Sequence, residues 1–140
     1  MKNDAVLEPA TATLVVAPLI DDVVEAHGFG PQSGYVEYCW LPILGPTSTW
    51  LYRRLAIPLL TADRYEFDLV DLASSLGLGH GLSPNSPLMR SLHRLVMFHA
   101  ADFRDARLLV RRALPPVSMR QAMQLSVTAR YVHNRLTRGA

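Results

Sequence analysis

Arginine is concentrated in the second half of this sequence, and this clustering is the feature most able to support chemistry. Residues 71–140 contain ten arginines and three aspartates, whereas residues 1–70 contain four basic and nine acidic side chains. A guanidinium group stays positively charged and donates in a planar fork that matches phosphate or carboxylate oxygens. A basic half joined to an acidic half therefore indicates a polyanionic partner, most often nucleic acid.

A helix that can present two of these arginines is predicted at residues 86–100. Ser86 and Pro87 form a typical start, because serine caps free N–H groups and proline suits the first turn. At 100° per residue, Arg90 and Arg94 lie on one side of this helix. The opposite side carries Leu88, Leu92, Leu95, Val96 and His99. We expect the apolar side to pack and the two arginines to face outward.

The spacing changes after this helix, and residues 101–114 are predicted to form a basic β-hairpin. At period two, Leu108, Val110 and Leu114 lie on one side and Arg107 and Arg111 on the other, which is typical of a strand with one buried face. Asp105-Ala106 is the expected turn, and Pro115 closes the segment. Its candidate contact residues are Arg104, Arg107 and Arg111.

A second interpretation of the same stretch is one continuous helix from Leu88 to Leu114. Phe103, Ala106 and Val110 also fit a helical stripe, and no glycine or proline interrupts it. That alternative predicts a helical bundle in which the arginines form a solvated face.

The elements upstream are predicted from the residues that typically start and end helices and strands. Residues 1–13 are predicted to be a tail, a helix is expected from Pro18, and the aromatic run 35–44 is interpreted as a short helix broken near Pro42. Thr47 or Ser48 is expected to cap another helix. A short strand at residues 65–67 then precedes a helix that Asp68 caps, with Leu69, Leu72, Ala73 and Leu76 on its buried face.

Three runs resemble bacterial winged helix-turn-helix regulators: GPTSTWLYRRL at 45–55, DLASSLGLG at 71–79 and SPLMRSLHRL at 86–95. The resemblance covers about residues 45–115. It implies an α+β, mostly α fold with a winged helix-turn-helix core and additional N- and C-terminal helices. It also implies that helix 86–100 enters the major groove, while hairpin 101–114 lies on the backbone or minor groove. The implied DNA contacts are Arg90, Ser91 and Arg94 on the helix, and Arg104, Arg107 and Arg111 on the hairpin.

The sequence thus predicts a single domain over residues 14–140, with its core at 45–115 and flanking helices at 18–44 and 118–138. We expect sequence-specific binding of double-stranded DNA by a transcriptional regulator. A homodimer is expected through the flanking helices, whose apolar faces carry Ile20, Val23, Val24, Leu125, Val127, Tyr131 and Val132. The alternative is a protein–protein interaction module, on a winged-helix or helical-bundle scaffold, that does not bind DNA.

Other functional classes have little support in the sequence. One cysteine, Cys39, permits neither an internal disulfide nor a four-cysteine zinc site, and the histidines lack ligand spacing. Gly77–Gly81 lacks the lysine of a phosphate-binding loop, and no nucleophile elbow is present. We expect no catalytic residue, no metal and no cofactor. Without a run of about 20 apolar residues or a basic secretion signal, we expect a cytoplasmic protein with no membrane partner.

Overall fold

The sheet is built around a strand that the sequence analysis did not predict. The computed structural model describes residues 13–138, and its first element is β1, Thr13–Pro18. This strand pairs antiparallel with β2 (Tyr65–Asp68) and parallel with β4 (Arg107–Val110). Strand β3 (Ala101–Arg104) completes the order β2-β1-β4-β3. The apolar run of β1 suits its central place, since a strand covered on both faces needs no polar alternation.

The first helix begins later than predicted. Pro18 ends β1 instead of opening a helix, and α1 spans Asp22–His27. Asp21 caps α1, with its Oδ1 accepting a hydrogen bond from the N–H of Val24 over 3.2 Å. The predicted tail lies outside the described residues except for Thr13, which belongs to β1.

The aromatic run 35–44 is helical, as expected, and half of its residues are buried in the core. A π-helical turn, Val36–Trp40, leads directly into α2, Leu41–Leu44. Pro42 sits in the first turn of α2, where its missing N–H breaks no hydrogen bond, so it does not break the helix. The buried ring of Trp40 donates from Nε1 to the main-chain oxygen of Pro115 over 2.8 Å.

The predicted cap is wrong for the next helix, which begins at Pro46 after Gly45 and has no side-chain cap from Thr47 or Ser48. The cap predicted at Asp68 is confirmed. Helix α3 spans Pro46–Ala56, continues into a 3₁₀ turn at Ile57–Leu60, and is followed by β2 and α4, Leu69–Ser75. Asp68 caps α4 by accepting from the N–H groups of Val70 and Asp71. The predicted packing face is buried at Leu69, Leu72 and Ala73 and half-buried at Leu76.

A hairpin, not a continuous helix, follows α5 (Pro87–Met97). Ser86 caps α5 as predicted. The helix ends where His99 takes a φ of 64° and the N–H of Ala100 reaches back to the oxygen of Leu95. The predicted end at residue 100 was therefore too late, and His99 is exposed instead of packed. The alternative of an unbroken helix through Leu114 is wrong.

Two C-terminal helices lie within the predicted helical segment 118–138, and each begins after a serine. Ser118 caps α6 (Met119–Met123) and Ser126 caps α7 (Val127–Thr137). The core lies between the sheet and the helices that cover it. Sequence patterning thus predicted the α+β class, in which helix predominates, and the structure confirms that class.

Candidate nucleic-acid interface

The buried side of α5 determines which of its residues face outward. Leu88, Leu92 and Leu95 are completely buried, which leaves Arg90 and Arg94 exposed as predicted. Burial of three leucine side chains contributes several kcal/mol, about 1.5–3 for each, so the rotation of α5 about its own axis is strongly specified.

An open groove of about 550 Å³ runs between this side of α5 and the start of α3. Its wall on the α3 side includes Pro46, Thr47 and Ser48, and its other wall includes Arg90 and Arg94. Among the described residues that line it, none carries a carboxylate. The partial positive charge at the start of α3 adds to the two guanidinium charges. The residues that line the groove therefore carry a net positive charge.

Arg90 and Arg94 differ in what they contact. Arg94 donates from Nε to the oxygen of Leu44 and from Nη2 to the oxygen of Ile43, each over 2.7 Å, and its guanidinium lies 5.1 Å from the centre of the Phe98 ring. The side chain of Arg90 makes no hydrogen bond or ion pair with another residue of 13–138. Arg94 therefore fixes α5 against the end of α2, and Arg90 keeps its donors available.

Ser91 is less accessible than predicted. Ser91 is 7% exposed where it lines the groove, and its main-chain oxygen accepts a hydrogen bond from the Ser48 hydroxyl over 3.4 Å. This position follows from the helical stripe, because Ser91 lies between the buried residues Leu88 and Leu95 on the helix surface. Thr47 and Asn85 are exposed at the rim of the same groove and were not identified from the sequence.

The hairpin presents its arginines away from α5. Phe103 and Leu108 are cross-strand partners buried in the core, and Arg104 and Arg107 form the next pair toward the turn. Because successive residues of a strand point to opposite faces, both arginines lie on the sheet face opposite the core. Arg104 is paired with Asp102 over 2.8 Å, whereas Arg107 has no such partner among the described residues.

Arg111 makes its contacts within the fold and does not extend the basic surface. Its Nε donates to the oxygen of His99 over 2.7 Å, and its Nη1 lies 3.4 Å from Asp21. The pKa of Asp21 is lowered, chiefly because it accepts from the N–H of Val24 and then because of Arg111. The next residue, Arg112, forms a two-point pair with Glu25 at 2.7 and 2.9 Å.

The six predicted contacts therefore do not form one surface. Arg90, Ser91 and Arg94 share the groove, Arg104 and Arg107 share the far sheet face, and Arg111 ties α1 to β4. Part of the charge asymmetry along the sequence is satisfied inside the fold, since Asp21 and Glu25 of the acidic half pair with arginines of the basic half.

The described residues offer little for other chemistry. No three His, Cys, Asp or Glu side chains within 13–138 are grouped as metal ligands. Cys39 is buried, and this burial raises the pKa of its thiol to about 11, which keeps it protonated at neutral pH. Within the same range, no helix is both long and apolar enough to span a bilayer.

Comparison of the chain with protein-family models, with curated proteins and with solved structures finds no match.

Proposed function

We propose that this protein binds double-stranded DNA through α5 and the groove beside it, as a sequence-specific regulator of transcription. The observation that carries the proposal is Arg90, an exposed guanidinium without an intrachain partner among the described residues, in a groove that no carboxylate lines. Such a group can donate to the O6 and N7 atoms of guanine or to a phosphate.

The order of elements supports a winged helix-turn-helix core at residues 45–115. Helix α3, strand β2, helices α4 and α5, and the hairpin β3–β4 occur in the sequence of that arrangement. Two features depart from its simplest form. Strand β1 is inserted between β2 and β4, and an eleven-residue connection, 76–86, separates α4 from α5.

In this proposal the arginines have different roles. Arg90 touches the duplex, and Arg94 shapes the groove from its fixed position on the carbonyls of α2. Arg107 offers a further guanidinium on the other face of the sheet, where Arg104 is already paired with Asp102, and it can contact phosphate without specifying sequence. A regulator of this kind acts in the bacterial cytoplasm, where the chromosome lies.

The test is a selection on random duplexes followed by anisotropy titrations of the selected sequence. Arg90→Ala is expected to weaken binding about tenfold, equivalent to the loss of one good contact of about 1.4 kcal/mol. Arg64→Ala is the matched control, because it removes the same charge next to β2, at the sheet edge away from the hairpin. The slope of log affinity against log salt should also fall by about one for Arg90→Ala.

Two results would contradict this function. One is the absence of any duplex binding at about 100 mM salt, where even non-specific binders are usually detected. The other is equal affinity of Arg90→Ala and the unaltered protein for the selected duplex.

A protein–protein interaction module is the second candidate, favoured by one specific observation. Met119, Met123, Val127 and Tyr131 project from α6 and α7 with most of their surfaces exposed. Side chains of this kind anchor protein interfaces, where methionine and aromatic residues are enriched. Loss of partner binding on Val127→Ser, together with no response to duplex DNA, would support this candidate instead.

A further inference from the structure

The groove beside α5 continues onto the outer face of α3. Thr47, Trp50 and Arg54 are spaced at i, i+3 and i+7 on this helix, so their side chains lie on one face. Thr47 lines the groove and also lines a neighbouring cavity of about 340 Å³, which we name the tryptophan cavity. Trp50 and Arg54 line this cavity as well. The tryptophan cavity therefore adjoins the surface that we propose for DNA.

Trp50 exposes 56% of its surface and is nevertheless restrained by a neighbouring side chain. The guanidinium carbon of Arg53 lies 5.4 Å from the centre of the Trp50 ring, and Nε of Arg53 donates to the main-chain oxygen of Pro31 over 2.8 Å. Arg53 does not line the tryptophan cavity, so it leaves uncovered the part of the indole that borders this cavity. A restrained and uncovered aromatic ring is a platform on which a planar group can stack.

Arg54 supplies the charge of the tryptophan cavity, which no carboxylate lines within the described part of the chain. Its Nη1 donates to Oγ of Ser75 over 2.7 Å, and that hydroxyl donates to the main-chain oxygen of Leu72 over 2.9 Å. With the described residues, Nε and Nη2 of Arg54 form no hydrogen bond or ion pair. These two donors are available to a phosphate oxygen, as are those of Arg90 in the groove.

We propose that the tryptophan cavity takes an unpaired nucleotide of the DNA, with its base stacked on Trp50 and its phosphate on Arg54. The inference rests on the proposed function, because this nucleotide is continuous with the duplex in the groove. A base inside a duplex has neighbouring bases on both faces, so only an unpaired base can stack on the indole. Proteins that bind single strands combine aromatic platforms with cationic groups in this way. The preferred target is thus a duplex that continues into a single strand.

The test compares anisotropy titrations of the selected duplex with and without a single-stranded extension of about four nucleotides. Extensions of either polarity are measured separately, because only one polarity can run from the groove toward Trp50. With that polarity, the extension is expected to tighten binding at least fivefold, since stacking of one base on an aromatic ring usually contributes that much. An extension of abasic residues keeps the phosphates but has no base to stack, so it should lose most of this gain.

Variants of the cavity separate stacking from charge. Trp50→Ala is expected to remove the gain from the extension, while the blunt duplex still binds. Trp50→Phe should keep part of the gain, because phenylalanine also presents an aromatic face. Arg54→Gln should weaken binding of the normal and the abasic extension alike, and it should reduce the salt dependence of both. Tyr131→Ala is the matched control, since it removes an aromatic ring that is 63% exposed on α7 and should have no effect.

The blunt duplex distinguishes failure of this inference from failure of the proposed function. Binding of the blunt duplex with no gain from an extension of either polarity would overturn the inference alone. A gain that survives Trp50→Ala or the abasic replacement would also overturn it, because such a gain comes from phosphate charge and not from stacking. Absence of binding to all of these DNA molecules would overturn both proposals.

Discussion

Arg94 and Leu44 are joined by a hydrogen bond of 2.7 Å from the guanidinium Nε to the main-chain oxygen, although 50 residues separate them in sequence. The bond fixes the outward side of α5 to the end of α2, immediately before the residues that start α3. The two walls of the groove are thereby held at a defined separation. Exposure of an arginine on a helix does not by itself make it a contact residue.

Replacement of Arg94 by alanine is expected to lower the free energy of unfolding by about 1–2 kcal/mol, because two charge-assisted hydrogen bonds to carbonyls are lost. Arg90→Ala, its neighbour one turn earlier, should change stability by less than about 0.5 kcal/mol. Urea unfolding of both variants gives the comparison. Equal stability of the two would show that the Arg94 bonds contribute nothing in solution.

The hairpin turn contains removable strain. Asp105 and Ala106 have φ values of 51° and 62°, the positive values that both central residues of a type I′ turn require. Left-handed backbone costs a side-chain-bearing residue about 1–2 kcal/mol and costs glycine almost nothing. Ala106→Gly should therefore raise the free energy of unfolding by a net of about 0.5–1 kcal/mol, after the added flexibility of the unfolded chain is subtracted, and so raise the unfolding midpoint in urea. A lower midpoint would contradict the turn geometry.

Local signals account for most of the elements that were predicted correctly. Asp68 and Ser86 cap their helices through bonds to N–H groups two or three residues away, and such bonds can be inferred from the sequence alone. Strand β1 was missed although its run of Leu14 to Ala17 is apolar and rich in valine. When the partner strands are not known, a run of four apolar residues can be interpreted either as a central strand or as part of a tail.

The partners of the arginines could not be inferred in the same way. Arg111 reaches Asp21 across 90 residues, and Arg112 reaches Glu25 across 87. Periodicity places a guanidinium on a side of its element, but only the tertiary arrangement decides what faces that side. The basic surface was therefore overestimated, while the groove residues Thr47 and Asn85 depended on the approach of α3 to α5.

The Glu25–Arg112 pair should contribute measurably to stability, unlike most surface pairs. Its two bonds of 2.7 and 2.9 Å give the two-point geometry, and both side chains are 27% exposed. A double-mutant cycle with Glu25→Gln and Arg112→Ala is expected to give a coupling of about 1 kcal/mol, falling with added salt. A cycle on the exposed Arg64–Glu66 pair is the control and should give a value near zero. Equal couplings would contradict this distinction.

Cys39 should resist modification in the folded protein. Burial raises the pKa of its thiol to about 11, so at pH 8 the reactive thiolate is a minor species that reagents also cannot reach. We expect the rate of reaction with a disulfide reagent to be at least a hundredfold lower than in the urea-unfolded chain. Rapid stoichiometric labelling under native conditions would show that the π-helical turn opens readily.

Alkaline pH should destabilise the protein, with Tyr35 as one of the groups responsible. Burial raises the pKa of Tyr35 to about 12, although its bond from the Val117 N–H acts in the opposite direction, while an unfolded tyrosine titrates near 10. A folded pKa above the unfolded one means that the stabilisation is complete below about pH 10. It is lost progressively as the pH rises through about 12. The free energy of unfolding in urea is therefore expected to fall over this interval.

Tyr35→Phe separates this effect from general alkaline damage. The variant should lose about 1–3 kcal/mol at pH 7, because the buried N–H of Val117 keeps no partner and His133 loses its bond to the hydroxyl. Its stability should then decline less steeply between pH 10 and 12 than that of the unaltered protein, since one of the groups that resist ionisation is gone. Parallel declines in the two proteins would assign the alkaline transition to other residues, of which Tyr52 is the first candidate because burial raises its pKa as well.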